Sequence, residues 1–196
     1  MFKTILRRPV VSGNNVLSGR RNFSLISIHS KFPATLYRFQ LHRESQLYDE
    51  KLQKEEDEVD DAVKISKDGL VYPEVSDEMS NGARFMPNTF FMQELTRMSH
   101  DYCLENLAES QPSAYPHYLC IPKGTPIPST LALLRERGIS SRFQLLPSSP
   151  MPLDELNNTL TEFYSKCGTT TPAEEWLGEH DYGKAFEDSK EDWMRH

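Results

Sequence analysis

Thirteen prolines against nine glycines run through this 196-residue chain, and no other feature limits its fold as tightly. Each proline fixes φ and removes a backbone donor, so many fixed turns and few long uninterrupted elements are expected. A hydrophobic content of 37% with 26% charged residues is polar but globular, and the length suffices for one core of ordinary domain size. No stretch approaches eighteen apolar residues, so no membrane span is expected. Cys103, Cys120 and Cys167 have neither C-x-x-C nor histidine-flanked spacing, which argues against a zinc site and more strongly against a disulfide scaffold.

Between the prolines, the apolar pattern predicts a small α+β domain. Residues 35–41 read as a strand, and 70–72 as a short one that starts after the Asp68-Gly69 turn and is stopped by Pro73. The acid-rich run around 50–65 reads as a solvated helix or an insertion, and the stretch around Asn81-Gly82 as a loop or hairpin. Asn88 or Thr89 can cap a helix from Phe90 onward, with Phe91, Leu95, Met98 and Tyr102 as its buried stripe and Leu107 extending it. Residues 117–121 and 141–147 read as strands, and 129–138 as a short helix capped by Ser129 and closed by Gly138. A helix starting near Pro152 turns Leu153, Leu156, Leu160, Phe163 and Cys167 inward and stops at Gly168. Residues 169–196 read as an acidic tail, docked as a helix or partly loose.

Charge is uneven along the chain. The first acidic residue is Glu44, although there are 29 Asp and Glu in all, while Lys3, Arg7, Arg8, Arg20, Arg21, Lys31, Arg38 and Arg43 precede it. A basic, serine-containing, acid-free leader fits a mitochondrial targeting presequence over residues 1–23, and "SGRRNFS" fits cleavage between Phe23 and Ser24. The expected location is then the mitochondrion, in the matrix; a basic arm for nucleic acid or phospholipid is the other reading. The domain would occupy 24–168 and the tail 169–196. Removing Lys3, Arg7, Arg8, Arg20 and Arg21 takes the formal charge from -7 to -12, a balance that argues against general nucleic-acid binding.

The familiar enzymatic signatures are missing: no G-x-G-x-x-G, no G-x-x-x-x-G-K-S/T, no G-x-S-x-G and no H-E-x-x-H. What remains is polar residues set in apolar runs. Arg38 lies in the middle of the first predicted strand, where a charge is tolerable on an open face or against an anion. Alternation could equally place Arg38 in water while Tyr37 and Phe39 pack. With Arg84 and Arg142, it could converge on a diphosphate by bidentate bonding.

The ordered segments "TLYRFQ", "DGLVYP", "YLCIPKGTPIPSTLALL" and "SRFQLLPSSPM" resemble the ADP-ribosyltransferase-like exported effector toxin of bacterial type VI secretion, a family with fungal relatives. The resemblance covers roughly residues 35–167. It implies an ADP-ribosyltransferase-like split-sheet fold, NAD as the dinucleotide bound, and cleavage of the nicotinamide–ribose bond by a transferase or an NAD glycohydrolase. It maps the first-strand dinucleotide-binding position to Arg38, beside Tyr37, and a dinucleotide-proximal loop to Gly82, Ala83 and Arg84, with Ser80 nearby. The family's histidine-tyrosine pair is replaced by Arg142-Phe143, which leaves Arg142 and Gln144 as the candidate catalytic residues, although an amide cannot act as a general base. The glutamate common in this class has no clear counterpart; Glu136 and Glu155 fall on predicted helices. The other reading is a catalytically inactive relative acting as a mitochondrial interaction module or structural subunit, with the acidic insertion or tail meeting a protein partner.

Overall fold

The computed structural model describes residues 27–52, 62–74, 81–107, 116–135 and 142–187. The expected leader, Ser80, Gly138, Trp193 and most of the acidic insertion lie outside them, as do the side chains of Tyr102 and Leu107.

Strand β1 (Ser27–His29) is followed by β2 (Leu36–Gln40), β3 (Tyr48–Asp49), β4 (Ala62–Val63), β5 (Leu70–Val71) and β6 (Ala83–Phe85). Helix α1 (Phe90–Leu107) leads to β7 (His117–Ile121), β8 (Leu131–Arg135), β9 (Phe143–Pro147) and β10 (Met151–Pro152). Helix α2 (Leu153–Cys167), β11 (Thr169–Pro172) and α3 (Ala173–Glu179) complete the fold. Two antiparallel sheets dominate, in the orders β1-β8-β9-β6 and β11-β7-β2, with β10-β5 and β3-β4 as minor pairs. The class is α+β with a split sheet, as expected.

Alternation along the strands sorts side chains into two cores. On β7, Leu119 and Ile121 join Leu36, Phe85, Leu133, Phe143 and Leu145 in the first core, which α2 closes with Leu156, Leu160, Phe163 and Tyr164. Tyr118 points the other way, to Met86, Met92, Ala173 and Trp176 beneath α1 and α3. Helix α2 follows the expected stripe, with Leu156 and Leu160 fully buried, Phe163 nearly so, Leu153 and Cys167 packed at its margin, and Gly168 at its end. Asn157 on α2 also holds the chain after β2: its Oδ1 accepts from Leu47 N at 2.9 Å and Ser45 Oγ at 3.0 Å, and its Nδ2 donates to Leu47 O at 2.9 Å.

Three expectations are corrected. Residues 131–135 form β8, not a helix, and β8 lies between β1 and β9 with Leu131 opposite Pro147 and Arg135 opposite Phe143. A short apolar run buried on both faces has no period that separates strand from helix, and here cross-strand pairing decides. Second, Arg84 lies on strand β6 and not in a loop. Third, α1 is rotated from its expected stripe. Thr89 does cap it, its Oγ1 accepting from Met92 N at 3.3 Å, but Phe91 is 44% and Met98 67% exposed. Met92, Gln93 and Thr96 are the residues turned fully inward. Their polar groups have partners: Gln93 Nε2 donates to Asn88 Oδ1 at 2.7 Å and His180 O at 3.1 Å, and Thr96 Oγ1 donates to Met92 O at 2.7 Å. A satisfied polar stripe can be buried, which hydrophobicity alone does not reveal.

The chain after Gly168 belongs to the fold. Strand β11 pairs with β7 from Thr169 opposite Cys120 to Pro172 opposite His117, and Trp176 of α3 is 1% exposed. The segment returns to α1 through Phe90 N donating to Phe186 O at 3.0 Å and Phe186 N donating to Asn88 O at 2.9 Å.

Two predictions follow from this packing. Met92→Ala should cost about 2–4 kcal/mol in urea unfolding, as for other buried Met truncations, while Met98→Ser should cost under about 0.5 kcal/mol. Equal costs would mean that the helix is turned as its hydrophobicity suggests. Tyr118 stacks on Trp176 at 4.7 Å, and burial pushes its phenol well above the ordinary range, a shift that Thr96 partly offsets. The unfolded chain releases the phenolic proton near pH 10 and the folded chain holds it, so stability should fall as pH rises beyond about 10. Tyr118→Phe should shallow that decline in alkaline melts; an unchanged decline would show that Tyr118 ionises freely in the fold.

Candidate active site where the two sheets part

The two large sheets meet at one backbone pair among the described residues. Tyr37 N donates to Met86 O at 2.7 Å and Met86 N to Tyr37 O at 2.9 Å. Continued antiparallel pairing would next bond Phe39 to Arg84, two residues along on each strand, but β2 turns instead to β7 and β6 to β9. Arg84, like Met86, directs its carbonyl toward β2, and the guanidinium of Arg38 reaches it, Nη1 donating at 3.4 Å. A side chain thus stands where the ladder opens.

Arg38 is 3% exposed, on the same side of β2 as Leu36 and Gln40. Of the two readings of this residue, water on an open face is therefore excluded: it is Tyr37 and Phe39 that lie on the other side, against the second core. A permanently charged guanidinium held away from water keeps a strong demand for anionic or carbonyl partners. A second buried arginine, Arg135, also 3% exposed, lies across the four-stranded sheet, in a row with Phe143 and Phe85. Beside it, His29 packs 5.8 Å from the Phe143 ring and meets Ser27 Oγ at 2.6 Å through Nε2. Burial first, and then the Arg135 charge, hold this imidazole below its ordinary pKa.

The residues expected to form one site divide between two faces. Arg84, Gln144 and Leu134 make a transverse row on the side away from Phe85, Phe143 and Arg135; Gln144 is fully buried there. Arg142 precedes β9, partly exposed, its guanidinium 5.9 Å from the Phe91 ring centroid. Gly82, just before β6, lies so close to β9 that an added Cβ would collide with the Leu145 carbonyl and lie 2.6 Å from Leu146 Cδ2. Close packing alone therefore requires glycine at this position.

Tyr37, expected beside the dinucleotide, is half-buried in a separate cluster. Its ring meets Trp176 at 5.3 Å and His180 at 5.0 Å. His180 stacks on Trp176 at 4.3 Å, with Nδ1 2.7 Å from Trp176 O and Nε2 3.0 Å from Tyr37 Oη. A carbonyl only accepts, so Nδ1 donates to it, which leaves Nε2 to meet the Tyr37 hydroxyl. Burial raises the Tyr37 phenol, with Cys120 and Glu179 adding to the shift, so Tyr37 stays protonated as a hydrogen-bond donor. This cluster fastens α3 to β2. Arg135, Gln40 and His180 were not expected at or near the site; only Gln40 had a signal, lying two positions from Arg38 and hence on its face.

No curated protein and no solved structure matches the chain at a significant level. Residues 34–176 match a family model described as the Tse2 ADP-ribosyltransferase toxin. The matched span runs from just before β2, through both large sheets except β1, to Trp176 at the second core. The chain therefore belongs to the Tse2 ADP-ribosyltransferase toxin family, whose activity class is ADP-ribosyl transfer with NAD as substrate.

Proposed function

We propose that this protein binds NAD at the opening between β2 and β6 and cleaves the nicotinamide–ribose bond, acting as an ADP-ribosyltransferase or an NAD glycohydrolase. The observation that carries the reading is Arg38: a 97%-buried cation at the divergence of two sheets, in a chain of this family. When bound, NAD supplies the ADP-ribosyl group that passes to an acceptor side chain or to water. A guanidinium suits a diphosphate because it is always charged and donates in a planar fork. Arg38 holds the phosphates, and its bond to the Arg84 carbonyl fixes its direction before substrate arrives. The low dielectric around it strengthens that attraction. Arg142 adds cationic character at the approach to β9; the side chains of Arg84 and Gln144 leave the other face of the sheet and take no direct part in holding the diphosphate.

One observation favours a second reading, a relative that binds without turnover: the buried polar and charged residues among those described include no carboxylate, and a carboxylate is the usual means of stabilising a developing positive ribose. Calorimetry of NAD with the full chain, together with a nicotinamide-release assay, separates the two. Saturable binding with release supports the enzyme, and binding without release supports the inactive relative. Arg38→Met should weaken NAD binding at least about tenfold in a variant that still melts cooperatively, at a somewhat lower temperature because the Arg84 carbonyl loses its donor. Unchanged affinity would remove Arg38 from the site.

We further propose that residues 1–23 direct the chain to the mitochondrial matrix, on the strength of their acid-free basic composition. Incubation with energised mitochondria should give a protease-protected product shortened to Ser24, and Arg20→Gln with Arg21→Gln should abolish the shortening. A full-length product left outside would reject the leader.

A further inference from the structure

We infer that Gln40 is a further substrate-binding residue, its Oε1 accepting a hydrogen bond from a ribose hydroxyl of the dinucleotide whose diphosphate Arg38 holds. The inference rests on the reading of the site given above. Gln40 is 3% exposed and follows Arg38 by two positions on β2, so both side chains leave the same face. It is the last residue of the strand, beyond the point where β6 has parted from β2.

Its amide has one orientation. Nε2 donates to the Arg43 carbonyl at 3.3 Å, and because a carbonyl only accepts, the amide oxygen cannot take that place. Oε1 is therefore the remaining acceptor, and it is buried with no hydrogen-bond partner among the described residues. Leaving an acceptor so is costly, a cost expected at a site built to receive a donor.

The chemistry of that donor follows from the neighbouring residue. Phosphate oxygens only accept, so the group held by Arg38 cannot satisfy Gln40. Two strand residues separate the Cα atoms by about 7 Å, a spacing that reaches from a diphosphate to the sugar attached to it, and a sugar hydroxyl donates. The free and bound states then differ at Gln40 by one hydrogen bond, made only when a nucleotide sugar is present.

The test uses the full chain and four probes in calorimetry or competition: NAD, inorganic pyrophosphate, and NAD analogues lacking the hydroxyls of one ribose or of the other. Gln40→Met should bind NAD about tenfold more weakly and pyrophosphate as before. One of the two deoxyribose analogues should bind the wild-type protein about tenfold more weakly than NAD does, and that difference should vanish in Gln40→Met. The wild-type comparison needs no variant to fold. Equal binding of NAD and both analogues by the wild-type protein would overturn the inference, the acceptor then being satisfied by a buried water. Parallel loss of NAD and pyrophosphate affinity in Gln40→Met would also overturn it, assigning Gln40 to the support of Arg38. If the wild-type chain binds no NAD, the reading of the site fails and this inference with it; failure at Gln40 with wild-type binding intact touches the inference alone.

Discussion

The backbone pair between Tyr37 and Met86 joins the two large sheets, and the site depends on its being followed by none. Had β2 and β6 continued to pair, Phe39 would meet Arg84 and the opening would be closed by an ordinary ladder. Each strand finds another neighbour instead, β2 in β7 and β6 in β9. The carbonyl of Arg84, deprived of a backbone donor from β2, receives the guanidinium of Arg38. An unpaired buried carbonyl and an unpaired buried cation would each be costly; together they offset part of the same cost. The arrangement places a buried guanidinium at the break between the sheets.

How much of this was legible beforehand depended on whether local pattern or tertiary partner decided each element. Strand β7 occupies the expected residues, and α2 buries the expected Leu156, Leu160 and Phe163, because a bounded apolar run and a clear helical stripe leave few alternatives. Residues 131–135 were misread because "LALLR" suits a helix and a buried strand equally, and its partners, β1 and β9, lie outside any local window. The face of α1 was misread for a different reason: Gln93 and Thr96 are buried against bonded partners at Asn88, His180 and Met92, none of which hydropathy records.

The same division applies to the site. Arg38 could be singled out from its setting, but its direction depends on which face of β2 the first core covers. Tyr37, adjacent in sequence, therefore points to the other core and serves α3 through His180. Arg84 and Gln144 were expected with Arg38, and they do lie near the same break in the sheet, yet strand alternation sends their side chains to the opposite face. Arg135 was hidden by the wrong assignment of its element, since a residue on a helix has no cross-strand row.

Seen from both faces, β2 is the member that ties the fold to its chemistry. Leu36 anchors it in the first core, Tyr37 and Phe39 in the second, and Arg38 and Gln40 are left as its buried polar residues. Packing accounts for the three apolar or aromatic positions without remainder. Arg38 meets the Arg84 carbonyl, and the Gln40 amide nitrogen meets the Arg43 carbonyl. A strand needs neither residue in order to form, since leucines would suit the same apolar face, although the Arg84 and Arg43 carbonyls would then lose their donors. Polar side chains thus stand together on one face of β2, at the one break in the sheet among the described residues.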